Sequence, residues 1–337
     1  MELFVYMKIT MKDVAQKAGV STATVSHVIN KTRFVEKETK DKVLRVMKKL
    51  DYYPNFAAQS LRSQKTKVIG LIVPDISNFF FTAVIRGVES TLKKYGYTLI
   101  LADSDENLKT EKEQIRVFNA KLVDGLIVAP ASGDHTFLKK LLDRNSPVVF
   151  IDRKPQGYCP GDCVLVDNVE GTYKAVSRLI KKGHSKIGAI TGLSGLTTSE
   201  ERIEGYKRAL VDYGIKVDQN LIKIGDGRYD SGYKLMKELL LNSNITALFV
   251  VNNLMTIGAI KFLKEKQIKV PDGLAIIGFD DYKWASITNP PLSVIKQPSR
   301  RIGEKASELL IRRIKKEETG DYKEYRLFTE LVIRDSF

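Results

Sequence analysis

Polar side chains suited to holding a small polyhydroxylated molecule recur at one kind of place in this 337-residue chain, directly after a short apolar run. Asp75, Ser77, Asn78, Phe80 and Phe81 follow the run 68–73, and Asp152 with Arg153 follows 148–151. Asn252 follows 248–251, Asp280 follows Ile277-Gly278-Phe279, and Gln297 ends the run that starts at Val294. Arg202 opens a helical stretch after the loop 192–199. Carboxylates and amides bond to sugar hydroxyls, a guanidinium donates two hydrogen bonds at once, and aromatic rings cover a sugar face. Any one of these residues could equally be a turn residue or a helix cap. Convergence from several strand ends points to one pocket, made by Asn78, Phe80, Phe81, Asp152, Arg153, Arg202, Asn252, Asp280 and Gln297.

Catalytic chemistry finds little footing. The three histidines, His27, His135 and His184, are scattered, no nucleophile–base pair is visible, and no Gly-rich phosphate loop is present. His135 lies in a Gly-Asp-His surface loop and His184 in a turn leading into a strand, so both read as structural. Cys159 and Cys163, in Cys-Pro-Gly-Asp-Cys, lack the further ligands that a metal site needs. They read as two reduced thiols near a strand start. No enzyme, no catalytic residue, no metal and no cofactor is expected.

The elements that must position the pocket are legible from residue 67 onward. Apolar runs of strand length at 68–73, 99–102, 125–129, 148–151, 186–191, 221–224, 248–251 and 274–278 alternate with helical stretches at 82–95, 110–120, 202–213, 232–241 and 256–266. Apolar strands without polar alternation are buried on both faces, which means parallel sheets covered by helices. Two such sets predict two α/β lobes. In sheets of this kind ligands bind beyond the carboxyl ends of the strands.

The first 65 residues differ. They carry 13 Lys and Arg against 6 Asp and Glu, close to half the excess behind a net charge of +15. This is a basic module on a nearly neutral body, and it suggests a polyanionic partner. Thr10 reads as the N-cap of a helix with Asp13 closing an acidic capping box, and Gly19 ends that helix. Ser21 caps a second helix whose Val25, Val28 and Ile29 face inward. Its outward Thr22, Ala23, Thr24, Ser26 and His27 are too small and polar to form a core, yet can lie against base edges and phosphates. A third helix at 37–50 completes the module with Val43, Leu44, Val46, Met47 and Leu50. Pro54 can start a fourth, too short to be stable alone.

Residues 10–63 resemble the DNA-binding headpiece of the lactose-repressor (LacI/GalR) family, most of all Val20-Ser21-Thr22-Ala23-Thr24-Val25-Ser26-His27-Val28-Ile29-Asn30. That stretch is especially similar to the purine and ribose repressors. The resemblance implies that Thr22, Ala23 and His27 read the major groove, while Ser21, Thr24 and Ser26 meet phosphates or lock the helix. Thr10, Asn30 and Asn55 complete the expected DNA-binding set. It also implies a hinge helix at 55–62, with Leu61 as a minor-groove wedge and Arg62 following it.

The rest of the chain resembles the periplasmic sugar-binding fold of the same family. Ser77-Asn78-Phe79-Phe80-Phe81, Val123-Asp124-Gly125-Leu126, Arg202-Ile203-Glu204-Gly205-Tyr206 and Gly278-Phe279-Asp280-Asp281 carry that likeness. The family usually has proline where this chain has Phe79. Its pocket aromatic aligns with Gly227, which removes one stacking wall unless Tyr229 substitutes. Purine-binding members carry an arginine where this chain has Leu196, which argues against a purine co-repressor. Asp152-Arg153 with Arg202 looks more like the ribose-type pocket, and a sugar acid or open-chain sugar would also suit it.

The expected fold is therefore an all-α three-helix helix-turn-helix headpiece plus hinge helix, joined to an α/β two-lobed periplasmic-binding-protein-like domain with parallel sheets. Residues 1–9 form an extension, 10–54 the headpiece, 55–66 the hinge and linker, and 67–337 the effector domain. Lobe crossings are expected near Leu165, Ser293 and Tyr325, so one lobe takes 67–164 and 294–324 and the other 165–292 and 325–337. The expected function is repression of a carbohydrate-utilisation operon under control of a sugar-like effector. A purine-dependent regulator and a cytoplasmic sugar-binding protein are the alternatives. Expected partners are pseudo-palindromic operator DNA, the effector and a second copy, as a homodimer or a tetramer. No segment approaches the ~18 apolar residues of a membrane span, and a cytoplasmic location is expected.

Overall fold

The computed structural model describes residues 9–30, 32–53, 65–120, 123–138 and 146–337. It divides into two compact units on either side of the Thr66–Lys67 peptide. Asn55, Leu61 and Arg62, with the rest of the expected hinge helix, lie outside the described residues.

The first unit packs α1 (Met11–Ala18), α2 (Thr22–Asn30) and α3 (Lys37–Lys49) around a small core. Val14, Ala15, Ala18, Val25, Val28 and Val43 fill it. Two of the six are alanines on α1, which lets the helices approach closely. Leu44 departs from expectation: it is 44% exposed, because Val43 already occupies the inward position of that turn.

The second unit holds two six-stranded sheets. One contains β1 (Val68–Val73), β2 (Thr98–Asp103), β3 (Gly125–Val128), β4 (Val148–Ile151), β5 (Asp162–Val166) and β11 (Glu324–Leu327). The other contains β6 (Ile187–Thr191), β7 (Ile222–Ile224), β8 (Ala247–Val250), β9 (Ala275–Phe279), β10 (Ser293–Lys296) and β12 (Glu330–Val332). Their orders are equivalent, β2-β1-β3-β4-β5-β11 and β7-β6-β8-β9-β10-β12. Each order reverses direction beside its first strand, the topological switch point where α/β sheets hold ligands.

The first sheet is parallel throughout. The second is mixed, since β12 runs antiparallel to β10; the chain reaches β12 from β11 of the first sheet through a link of two residues. β1, β3, β4, β8 and β9 are buried almost end to end, as their unbroken apolar sequence requires. β2 is the exception, an edge strand with Ile100 and Leu101 each about two-fifths exposed.

Each lobe crossing falls a few residues beyond its expected position. Strand pairing decides this. β5 stays in the first sheet through Val166, β10 pairs with β9 through Ile295, and Tyr325, Arg326 and Leu327 pair with β5. Residues 294–296 therefore belong to the second sheet and 325–327 to the first, which corrects both lobe boundaries. The helix Ser299–Ile314 returns to the first lobe, where Ile302, Ala306, Leu309, Leu310 and Ile311 join its core.

A buried ion pair fastens the route to the last crossing. Arg313 donates through Nε and Nη2 to the two oxygens of Asp162, both at 2.9 Å, and through Nη2 to the Asp321 carbonyl at 2.8 Å. Asp162 also accepts from the Lys323 backbone N–H at 2.8 Å. Removing one partner strands the other charge away from water, which is costlier than losing the pair. Asp162→Ala is expected to lower unfolding free energy by roughly 3 kcal/mol in urea titrations, whereas Arg301→Ala, an exposed pair, should change it by less than about 1 kcal/mol.

Candidate functional site

Side-chain hydrogen bonds start both α1 and α2. Thr10 Oγ accepts from the Asp13 N–H at 3.4 Å and the Asp13 carboxylate accepts from the Thr10 N–H at 2.7 Å, a complete capping box. Hydrogen bonds from Thr10 hold the Asp13 carboxyl below its ordinary range. Gly19, at φ 63°, ends α1 and lets the Val20 N–H return to the Ala15 carbonyl. Ser21 Oγ then accepts from the Thr24 N–H at 3.0 Å and starts α2.

This leaves Thr22 and Ala23 exposed and Thr24, Ser26 and His27 partly so. The His27 Nδ1 lies 2.8 Å from Thr32 Oγ, so Nε2 remains for an outside partner. Asn30 Nδ2 donates to Ser26 Oγ at 3.1 Å within the helix. Thr10, Ser21, Ser26, His27 and Asn30 thus all have structural partners, while Thr22 and Ala23 are exposed on the outward face of α2.

In the second unit all nine expected pocket residues line one cavity of about 310 Å³. Both lobes contribute. Asn78 N-caps the helix Phe79–Lys94, accepting from the Phe80 N–H at 3.0 Å. Phe80 and Phe81 are buried edge to face, 4.9 Å apart, in the core of the first lobe, and present only part of their rings to the cavity. Asp152 and Arg153 follow β4, while Asp280 and Gln297 follow β9 and β10. Arg202 does not open its helix; Thr197–Asp212 starts a turn earlier, after the cap Leu196, and Arg202 sits in the second turn.

Buried charge dominates the site. Arg153 reaches Glu106 through both Nη atoms, at 2.6 and 2.8 Å, and the Pro130 carbonyl at 3.1 Å. Its Nε faces Asp152 Oδ2 at 3.4 Å and makes no hydrogen bond. Arg202 donates from Nε to Asn168 at 2.8 Å and from Nη1 to the Val251 carbonyl at 2.6 Å, and stacks 3.7 Å from the Phe279 ring centre. Gln297 Nε2 donates to Asp280 at 2.7 Å, which leaves its buried Oε1 without a partner. Donors and acceptors therefore remain for a ligand from both lobes.

Burial shifts these groups as removal from water requires. It raises Asp280 to about 6, against the pull of Arg202 and the Gln297 hydrogen bond. Burial raises Asp152 too, opposed by Arg153 and Arg202. Arg202 is lowered by burial despite Asp152 and Asp280, whereas Arg153 is raised because Glu106 and Asp152 outweigh its desolvation. Four of the eight non-glycine residues with positive φ among those described, Asp105, Glu106, Asp152 and Asp280, line this cavity. Backbone strain of that kind persists where surrounding structure imposes it, commonly at ligand sites.

Asn252 is more committed than its position suggested. Its Oδ1 caps the helix Asn253–Glu265 by accepting from the Met255 N–H at 2.9 Å, and its Nδ2 donates to the Gly227 carbonyl at 2.6 Å. Tyr229 is not among the lining residues, so the wall absent at Gly227 is not replaced from there; Leu196 does line the cavity. Sequence reasoning missed Glu106, Asp105, Arg228 and Asn253. Reading the residues after β2 and β7 by the strand-end rule would have found the first three. Arg228 pairs with Asp105 at 2.7 Å across the cleft, and Asn253 Nδ2 donates to Asn78 at 3.0 Å. No group of His, Cys, Asp and Glu among the described residues could hold a metal ion.

Two family models match the chain. One, described as bacterial regulatory proteins of the lacI family, matches residues 10–55, and the other, periplasmic binding proteins and sugar binding domain of LacI family, matches 66–325. The HTH-type transcriptional repressor PurR of Photobacterium profundum is 39% identical over 330 residues, covering 97% of this chain and 98% of that protein. The lac repressor dimer bound to operator and an anti-inducer superposes with a TM-score of 0.86 at 26% identity, over 97% of this chain and 98% of the other. A LacI family regulator from Enterococcus faecium with bound ribose gives 0.71 at 30% identity, over 80% and 98%.

Between its ordinary 3.8 and about 6, folded Asp280 keeps a proton that the unfolded chain has lost. Its contribution to stability is therefore largest at low pH and is lost as pH rises from about 4 to 6. Asp280→Asn is expected to exceed the parent in stability above pH 6 by on the order of 2 kcal/mol, with the difference vanishing below about pH 4. Urea unfolding across that range measures it.

Proposed function

The chain belongs to the LacI family of bacterial regulatory proteins and is a DNA-binding transcription repressor with a ligand-binding effector domain, and we propose that its effector is a neutral sugar of about monosaccharide size. The observation that carries this reading is the charge of the cavity lining. Six carboxylates, from Asp75, Asp105, Glu106, Asp152, Asp226 and Asp280, face three guanidinium groups, from Arg153, Arg202 and Arg228. Arg153 and Arg228 are already paired with Glu106 and Asp105. An anionic sugar acid would meet excess negative charge, whereas hydroxyls can donate to Asp152, Asp280 and the open Gln297 oxygen. The volume is at the small end of small-molecule sites.

A purine effector is the second reading, since the Photobacterium relative is a PurR repressor. Leu196 and Gly227 weigh against it: neither a guanidinium nor a ring stands at these two positions to meet a flat nitrogenous base. A thermal-shift screen of neutral pentoses and hexoses, sugar acids, sugar phosphates and nucleobases separates the readings. A ligand at a hundred times its Kd adds about 2.7 kcal/mol. Stabilisation by a nucleobase alone would sink the sugar assignment.

The domain acts as a homodimer in the cytoplasm on a two-fold symmetric operator, because one headpiece spans too few base pairs to specify a site. Effector and operator affinities are then reciprocally coupled through closure of the lobes. By analogy with catabolic members of the family, the effector weakens DNA binding. Selection from random DNA should return pseudo-palindromic sites. His27→Ala should relax one symmetric base position, at about 1–3 kcal/mol per base contact. Arg202→Ala should abolish the ligand response, read by fluorescence anisotropy as an operator affinity that no longer changes when the sugar is added.

A further inference from the structure

The chain from β4 into β5 carries a pair of thiols that the effector site does not use. Cys163 is buried on β5, fixed by its N–H to the Lys323 carbonyl at 2.8 Å and by register with Phe150 and Glu324. Cys159 is half-exposed, four residues earlier, in Cys-Pro-Gly-Asp-Cys. Their sulfur atoms lie 3.3 Å apart, about 1.3 Å longer than a disulfide bond. The turn between them is tightly built: a Cβ at Gly161 would come within 2.2 Å of the Val148 carbonyl oxygen. No third His, Cys, Asp or Glu among the described residues completes a metal set with them.

We propose that Cys159 and Cys163 form a reversible intramolecular disulfide on reaction with a hydroperoxide, and that this bond acts on the contacts between the lobes. The half-exposed Cys159 is the attacking sulfur. Once deprotonated, the Cys159 sulfur can accept from the Cys163 S–H 3.3 Å away, which with the Lys154 ammonium favours its thiolate, while that bond and burial keep Cys163 protonated. The Cys159 thiolate attacks the outer peroxide oxygen. The O–O bond breaks, an alcohol or water leaves with a proton from solvent, and Cys159 becomes a sulfenic acid. Cys163 sulfur then displaces the hydroxyl, which leaves as water with the Cys163 proton. Two thiols are oxidised and one peroxide is reduced by two electrons, so the step balances.

The segment concerned touches the opposite lobe. The Lys154 N–H donates to Thr197 Oγ at 3.2 Å, and Gln156 Nε2 donates to Glu200 at 3.1 Å and to the Gly195 carbonyl at 3.3 Å. It also begins at Asp152 and Arg153, in the cavity wall. Drawing Cys159 onto the fixed Cys163 therefore pulls on a segment whose first residues line the pocket.

The test treats the full-length protein with hydrogen peroxide and reads intact mass, peptide mass and hydrogen exchange. The expected result is loss of two thiols and two mass units within one chain, restored by dithiothreitol, with altered exchange in residues 193–200. Cys163→Ser should stop at a sulfenic acid on Cys159 that dimedone traps, and Cys159→Ser should leave Cys163 unmodified. Circular dichroism of both variants shows that they fold. A disulfide between two chains, no dimedone adduct in folded Cys163→Ser, or two surviving thiols would overturn the site. Exchange changes confined to 153–163 would overturn the coupling.

Discussion

Two carboxylates, Asp152 and Asp280, and two guanidinium groups, Arg153 and Arg202, are withdrawn from water into one cleft, and each must find a partner or a proton. That requirement organises what surrounds them. Glu106 is drawn in to meet Arg153 from a backbone at φ 54°, a conformation uncommon outside glycine. Asn168, at the start of the helix following the first crossing, is buried so that its amide oxygen can receive Arg202. Gln297, at the second crossing, is held by Asp280. Two of the three connections between the lobes thus carry a side chain whose position is set by a buried charge, which places the ligand cleft and the hinge in the same set of contacts.

The sequence made the strands legible because parallel strands covered on both faces are almost wholly apolar, and 68–73 and 148–151 coincide with β1 and β4. The switch from such a run to Asp152-Arg153 or to Asp280 marks a strand end, so the cavity wall could be read residue by residue. Helix starts were less legible. Thr197–Asp212 begins after a leucine cap with no side-chain hydrogen bond, and polar Thr, Ser and Glu residues fill its first turn, which hides the boundary. Crossing positions were missed by a few residues because the strands that end at them, β5, β10 and β11, keep pairing to their last residue. Whether a strand-end amide serves ligand or helix also depends on three-dimensional neighbours, and Asn252 serves a helix and the Gly227 carbonyl.

The two units speak differently about ancestry and ligand. The identity with the PurR repressor of Photobacterium profundum extends over 97% of the chain, headpiece and effector domain alike. Inside the cleft, Leu196 and Gly227 line the cavity with neither a charge nor a ring. A reading helix answers to a DNA sequence and a cleft to a metabolite, and nothing in the fold forces the two to change together. Similarity over the full length thus identifies the machine and leaves its input to a handful of side chains.

The last crossing has a mechanical consequence. Only Phe328 and Thr329 separate β11 in one sheet from β12 in the other. Three residue-to-residue steps span at most about 10 Å, and both strands are anchored by their neighbours. The lobes can swing about this tether, but the mouth cannot widen by simple separation. Opening at this crossing is therefore angular, and the chain's own covalent length sets the pivot about which the cleft admits a guest.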